Sequence, residues 1–166
     1  MLRYVDAVVT FSEIPDEITL CINISGCPNH CPGCHSQYLW EDTGLSLNKE
    51  ALYCLINENK GITCVCLMGG DQAPNSITWL ARCIKEEYPQ LKVAWYSGLP
   101  KIHKDIDTFY FDYIKVGPYV EDLGPLTSPT TNQRLYCKGK HLHKMDARDE
   151  GLYDITDKFW KNEINI

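Results

Sequence analysis

Short apolar segments alternate along this chain with segments whose apolar residues recur at helical spacing. This alternation predicts strands at residues 18–24, 63–68, 91–96, 113–116 and 133–138. It predicts helices at residues 48–59 and 76–88, with a shorter one at 101–108. Strands that alternate with helices favour a parallel sheet. Because a full eight-fold barrel usually needs about 250 residues, the 166 residues here favour an α/β fold, an incomplete (open) β/α barrel of parallel strands.

Four of the predicted strands end in small or polar residues, namely Ser25-Gly26, Gly69-Gly70, Ser97-Gly98 and Gly117-Pro118. The carboxyl ends of parallel strands meet at one edge of a sheet, and ligands of α/β proteins bind there. We therefore expect these four strand ends to form one site.

Size and charge limit the classes of protein to consider. The length favours a single domain over residues 1–166. No apolar run approaches the roughly 20 residues that cross a bilayer, and residues 1–14 lack the apolar stretch of a signal peptide. We expect a cytoplasmic protein that binds no membrane. The net charge of −6 argues against binding to nucleic acid. A short basic stretch is predicted to be a solvated face, with docking as the alternative; it comprises Lys138, Lys140, His141, His143 and Lys144.

Three of the nine cysteines, Cys27, Cys31 and Cys34, lie within eight residues. In a reducing compartment, clustered cysteines more often bind metal than form disulfides. Thiolates suit iron–sulfur clusters and zinc. Three thiolates on a short loop can ligate three irons of a [4Fe–4S] cluster and leave the fourth iron open. The alternative is a zinc site completed by His30 or His35, although structural zinc sites usually draw two ligands from a second, separate loop.

The spacing of these cysteines matches the CxxxCxxC signature of the radical S-adenosylmethionine superfamily, which the chain resembles. The segment Met68-Gly69-Gly70-Asp71 is similar to the GGE motif of that superfamily, with Asp71 in place of the usual glutamate. The resemblance implies an open barrel of the radical S-adenosylmethionine type. It also implies that the backbone at the Gly-Gly turn binds the amino group of S-adenosylmethionine.

Other segments resemble one subgroup, the activating proteins of anaerobic (class III) ribonucleoside-triphosphate reductases. The first is the cysteine loop, with Gly33 before the third cysteine and Trp40 shortly after it. The others are residues 117–123 and Asn132-Gln133-Arg134. Val116 stands where that family commonly has aspartate, and residues 95–98 resemble its aromatic-Thr-Gly turn. The cofactor-binding residues implied by the resemblance are Gly33, Cys34, His35, Gly69, Gly70, Asp71, Ser97, Asn132 and Arg134.

The resemblance implies an enzyme that uses a [4Fe–4S] cluster and S-adenosylmethionine to make a 5′-deoxyadenosyl radical. That radical would install a glycyl radical on the large subunit of the anaerobic reductase, and a one-electron donor such as flavodoxin would reduce the cluster. One alternative is the activase of another glycyl-radical enzyme, such as pyruvate formate-lyase. Another is a zinc-binding or electron-transfer module without catalysis.

The remaining cysteines are predicted to be structural. Cys64 and Cys66 share one face of a strand, where packing is favoured over an auxiliary cluster. Cys21, Cys54 and Cys83 are predicted core residues, and Cys137 is left unassigned. His141 and His143 are predicted to be solvated, with metal binding as the alternative.

Overall fold

An eight-stranded sheet forms the centre of the protein in the computed structural model, which describes residues 1–139 and 151–161. The strand order is β3-β1-β2-β4-β5-β6-β7-β8. The strands are β1 Arg3–Thr10, β2 Thr19–Ile24, β3 Leu45–Ser46, β4 Cys64–Met68, β5 Lys92–Tyr96, β6 Tyr113–Val116, β7 Arg134–Lys138 and β8 Leu152–Asp154. The five predicted strands are confirmed within two residues at each end.

The sheet is mixed rather than wholly parallel. Strands β2, β4, β5 and β6 pair in parallel. Antiparallel strands extend the sheet on both sides, with β1 and β3 beside β2 and with β7 and β8 beside β6. Strands β1, β3 and β8 were not predicted from the sequence. Strand β1 carries Arg3 and Asp6 and is only partly buried, so it lacks the continuous apolar run of a central strand.

Two helices, α1 Lys49–Glu58 and α2 Pro74–Glu87, connect the first three parallel strands. The side chain of Asn48 accepts a hydrogen bond from the backbone N–H of Ala51 (2.8 Å) and so caps α1. Pro74 occupies the first turn of α2, where a missing N–H costs nothing. Apolar residues of both helices pack on one face of the sheet and form the larger core, which includes Ile22, Leu52, Ile56, Leu67, Ile77, Leu80, Trp95 and Ile114.

The helix predicted at residues 101–108 is wrong. This segment forms turns, and a single 3₁₀ turn follows at Thr108–Tyr110. Side chains take the local N–H groups, because Asp107 accepts from the N–H of Phe109 (3.1 Å) and His103 accepts from that of Asp105 (3.2 Å). A segment of eight residues cannot offset the cost of helix nucleation without strong packing.

The opposite face of the sheet carries a smaller core. Strand residues Cys21, Cys64, Cys66 and Tyr113 meet Ile14 there, from the connection between β1 and β2. Ile155 and Phe159 pack against the same cluster. No helix in the described part of the chain is long and apolar enough to cross a membrane.

The parallel strands end in register. Asn23 pairs with Met68, Met68 with Tyr96, and Tyr96 with Lys115. Because side chains alternate between faces along a strand, these four residues form one row on the smaller-core face. We call Asn23, Met68, Tyr96 and Lys115 the strand-end row.

Candidate functional site

The three-cysteine loop leaves the carboxyl end of β2. It closes on itself through backbone hydrogen bonds from the N–H of Cys27 to the carbonyl of Leu39 (2.9 Å) and from that of Cys34 to the carbonyl of Cys31 (3.1 Å). His30 and Gly33 have positive φ angles, 43° and 75°. The loop therefore keeps all three cysteines on one short, tightly turned segment.

All three thiols are free and partly exposed. The Cys34 sulfur accepts a hydrogen bond from the N–H of Ser36 (3.4 Å), and the Cys27 sulfur accepts one from the Asn29 amide (3.8 Å). Within residues 1–139 and 151–161, no group of three or more His, Cys, Asp or Glu side chains is arranged so that it could hold a metal ion. The donor set suits a cluster, but the three side chains must turn toward each other to bind it.

The two histidines of the loop are engaged with aromatic rings. His30 stacks on Trp40 with ring centroids 4.7 Å apart, and His35 meets the edge of Tyr119 at 5.6 Å. Neither forms part of a metal-binding group among the described residues. These contacts fix the loop against its surroundings.

Asp71, which follows β4, connects the cysteine loop to the residues after β5 through hydrogen bonds. Its buried carboxylate accepts hydrogen bonds from the Asn29 amide (2.5 Å), the Ser97 hydroxyl (2.6 Å) and the Gly98 N–H (2.9 Å). The structure therefore brings the predicted site residues Asp71 and Ser97 together. In this arrangement they bind each other and position the loop.

Gly69 and Gly70 form the predicted turn after β4, with φ angles of 98° and 84°. The carbonyl of Gly69 accepts a hydrogen bond from the indole of Trp95 (2.8 Å). A Cβ atom at Gly70 would overlap with the Ile77 side chain in the larger core. Close packing of α2 on the sheet and the positive φ angle therefore both favour glycine at position 70.

The later predicted residues lie around Pro118. Asn132 donates to the carbonyl of Pro118 (2.9 Å), while its buried Oδ1 has no partner among the described residues. Arg134 donates to the carbonyls of Thr131 (2.7 Å) and Gln133 (2.6 Å), and its Nε lies 3.5 Å from the Asp154 carboxylate. Gly33 faces Glu121, whose Oε2 would lie 3.2 Å from a Cβ at that position.

A cavity of about 440 Å³ opens beside the cysteine loop, and the strand-end row lines it. Cys34 and His35 are the predicted site residues in its wall. The other predicted site residues are not in its lining: Cys27, Cys31, Gly33, Gly69, Gly70, Asp71, Ser97, Asn132 and Arg134. Their proposed roles in cofactor binding remain predictions.

The cavity wall contains two charged residues that were not predicted from the sequence, Glu13 and Lys115. Burial lowers the pKa of Lys115 to about 8, although the negative charges of Asp71, Cys31 and Cys34 act in the opposite direction. Burial raises the pKa of Glu13, opposed by His35 and Lys115. A sequence signal existed for Lys115 alone, since it is the one charged residue of the apolar strand at 113–116.

The remaining cysteines divide by burial. Cys21, Cys64, Cys66 and Cys83 are buried, and burial raises the pKa of the Cys64 and Cys66 thiols well above the ordinary range. The prediction that Cys54 is a core residue is wrong, because it lies on the exposed side of α1.

Within the predicted basic stretch, Lys138 donates to the carbonyl of Phe109 (3.0 Å). Lys140, His141, His143 and Lys144 lie outside the described residues.

The protein is thus an α/β protein with three free cysteines on one loop at the carboxyl end of its first parallel strand. The model of a family described as a 4Fe–4S single cluster domain matches residues 18–118, which is more than half of the chain. The chain belongs to this 4Fe–4S single cluster domain family, and it is therefore an iron–sulfur protein. Comparisons with curated proteins and with solved structures give no match.

Proposed function

We propose that this protein is a radical S-adenosylmethionine enzyme that installs a glycyl radical on the large subunit of an anaerobic ribonucleoside-triphosphate reductase. The observation that carries the proposal is the cavity beside the cysteine loop, whose wall includes Cys34. A domain that only transfers electrons needs no such cavity. Its volume, about 440 Å³, lies within the range of small-molecule sites.

The residues of this chain have three tasks in the proposal. Cys27, Cys31 and Cys34 hold the cluster, and the cavity wall binds S-adenosylmethionine next to it. The rings of Tyr96 and Tyr119 supply apolar surface to the cavity wall. When bound, the cluster supplies the electron that splits S-adenosylmethionine into methionine and a 5′-deoxyadenosyl radical, which takes a hydrogen atom from a glycine of the reductase.

The choice of partner rests on the resemblance of Gly33 and of Asn132-Gln133-Arg134 to the activating proteins of class III reductases. An incomplete, open barrel, which we propose for this sheet, would admit a glycine loop of a second protein. A one-electron donor such as flavodoxin would reduce the cluster. The second candidate is an activase of a protein of the pyruvate formate-lyase type, since both activities require the same cysteine loop.

The test begins with anaerobic reconstitution, which should yield about four irons and four sulfides per chain. Cys27→Ala, Cys31→Ala and Cys34→Ala should each abolish the cluster, because one iron loses its protein ligand. Cys54→Ala is the matched control, since Cys54 is exposed on α1 and should leave the iron content unchanged. With dithionite and S-adenosylmethionine, the loaded protein should release 5′-deoxyadenosine and methionine.

The partner is tested by EPR. Mixing the loaded protein, reductant and S-adenosylmethionine with the reductase from the same organism should produce a glycyl radical doublet. A doublet formed only with a formate-lyase-type protein would favour the second candidate. Stoichiometric zinc in place of iron, or a loaded cluster without cleavage of S-adenosylmethionine, would contradict the proposal.

A further inference from the structure

Strand β1 has an open edge on the side away from β2. Its partner there, β3, pairs only with Arg3 and Tyr4, whereas β2 pairs with β1 as far as Thr10. In an antiparallel pair, every second residue turns its N–H and C=O groups away from its partner strand. In the described part of the chain, no strand pairs with residues 5–10 on this side. We call residues 5–10 the open edge, since unpaired backbone donors and acceptors line it.

The open edge lacks most of the features that protect the edge strands of natural proteins. A bulge precedes Asp6, but residues 7–10 contain neither a charge nor a proline. Val8 and Val9 are 49% and 40% exposed. Strand β8, at the other edge of the sheet, spans only three residues and ends in the charged Asp154. The edge of β1 is therefore the better suited of the two to accept an additional strand.

The open edge borders the cavity. Side chains alternate between the two faces of a strand, and Val8 and Thr10 share the face that lines the cavity together with Cys34. A further strand would lie about 4.8 Å from β1, and every second residue of that strand would be on the cavity side of the sheet. Strand addition would therefore bring a segment of another protein directly to the mouth of the cavity.

Acidic groups lie at both ends of the open edge. At its start, Asp42 lies 3.9 Å from Arg3 and its side chain is 69% exposed. At its end, Glu13 lines the cavity and forms no ion pair within the described residues. His35 and Lys115 act on the charge of Glu13 only from beyond ion-pair distance. Because opposite charges attract, these two ends favour a segment with basic side chains.

We propose that the glycine-bearing segment of the substrate protein binds as an additional strand along the open edge, and that this segment carries basic rather than acidic residues. The inference rests on the proposed function, which requires a glycine of a second protein at the cavity. Backbone hydrogen bonds to β1 hold the segment, and glycine allows its backbone to approach the cavity closely. A second copy of this chain fits the edge less well. Antiparallel pairing of two β1 strands would place Glu13 of one copy near Asp42 of the other, and like charges repel.

Peptides with N-methyl groups test the backbone pairing. The probe is a synthetic peptide of about ten residues, the upper length of common strands, centred on the radical-bearing glycine of the anaerobic reductase from the same organism. Two further peptides carry N-methyl groups at alternate residues in complementary sets, so that only one set removes the donors that face β1. In isothermal titration of the anaerobic, cluster-loaded protein, one set should bind about tenfold or more weakly, as expected for lost hydrogen bonds. The other set should bind like the unmodified peptide.

Glu13→Gln tests the charge of the segment. This variant should weaken the unmodified peptide about two- to fivefold, as expected for one lost ion pair near the surface. Glu50→Gln is the matched control, since Glu50 is an exposed carboxylate in the first turn of α1, and it should change nothing. Equal binding to Glu13→Gln and wild type would overturn the assignment of a basic segment.

Amide hydrogen exchange in the presence of the intact large subunit separates this inference from the proposed function. The amides of the open edge should become protected in the complex. Equal effects of the two N-methylated peptides, or a glycyl radical that forms while these amides stay unprotected, would overturn strand addition alone. Protection that rises with protein concentration in the absence of the reductase would assign the edge to a second copy and overturn this inference. A large subunit that acquires no glycyl radical from the loaded protein would overturn the proposed function and this inference with it.

Discussion

Gly70 and Gly61 have almost the same backbone conformation, with φ angles of 84° and 86°, but different surroundings. A Cβ at Gly61 would meet no atom within 4 Å, whereas one at Gly70 would overlap with Ile77 in the larger core. Both positions carry the backbone strain that an L residue suffers in the left-handed region. Only Gly70 adds a steric conflict with a buried side chain of α2.

This pair predicts the role of the Gly-Gly turn. Gly61→Ala should lower the free energy of unfolding by about 1–2 kcal/mol, through backbone strain alone. Gly70→Ala should cost about 2–4 kcal/mol, because overpacking against Ile77 is added to the same strain. Urea unfolding of the metal-free proteins measures both values. Equal losses for the two variants would show that Ile77 gives way easily and that backbone strain alone accounts for the cost at Gly70.

At the scale of the elements, Glu17 connects the amino ends of the parallel strands. Its carboxylate accepts hydrogen bonds from Thr63 (2.6 Å), Tyr113 (2.8 Å) and Lys92. Burial alone would raise the pKa of Glu17, but these donors outweigh it and lower the pKa below the ordinary value of 4.5. The residues that precede or begin β4, β5 and β6 thus share one buried carboxylate at the edge of the sheet opposite the cavity.

Glu17 should therefore make stability depend on pH at the acidic end. Because its pKa is lower in the folded state, it contributes stability at pH values above 4.5, and this contribution is lost as the pH falls through the folded-state pKa. Glu17→Gln should cost about 1.5–3 kcal/mol at pH 7, the contribution of hydrogen bonds to a charged group. Denaturant unfolding of both proteins at several pH values from about 3 to about 7 measures the free energy of unfolding. The difference between wild type and variant should shrink on the acidic side; a difference that stays constant with pH would contradict the assignment.

At the scale of the whole molecule, the sequence predicted the centre of the sheet better than its edges. Residues such as Ile22, Leu67 and Trp95 lie in fully buried parallel strands, whose continuous apolar runs are easily seen. Strand β1 is exposed on one side, and β3 spans only two residues, so neither leaves a clear pattern. The open-barrel interpretation stays a prediction.

The site was predicted unevenly for a related reason. Ligand spacing is local in sequence, so Cys27, Cys31 and Cys34 could be found within a single loop. The cavity wall instead depends on strand register, which brings Asn23, Met68, Tyr96 and Lys115 side by side from four separate strands. The apolar pattern that predicts a strand does not report which residues of neighbouring strands will pair, and so the wall could not be predicted.

Arg134 is predicted to contact the proposed substrate protein. Arg134 does not line the cavity, and its side chain is 42% exposed on β7, where its guanidinium group also reaches Asp154. Arg134→Ala should therefore leave the release of 5′-deoxyadenosine in the absence of the reductase within about twofold of wild type. With the reductase present, the glycyl radical yield should fall about tenfold, as expected when an arginine at an interface is truncated. Arg82→Ala is the matched control, since Arg82 is an exposed arginine on α2 that pairs with Glu86 (2.7 Å).

A loss of 5′-deoxyadenosine release without the reductase would instead place Arg134 at the cofactor, as the resemblance implies. An unchanged radical yield would remove Arg134 from both roles and leave it as a support for the turn at Thr131 and Gln133.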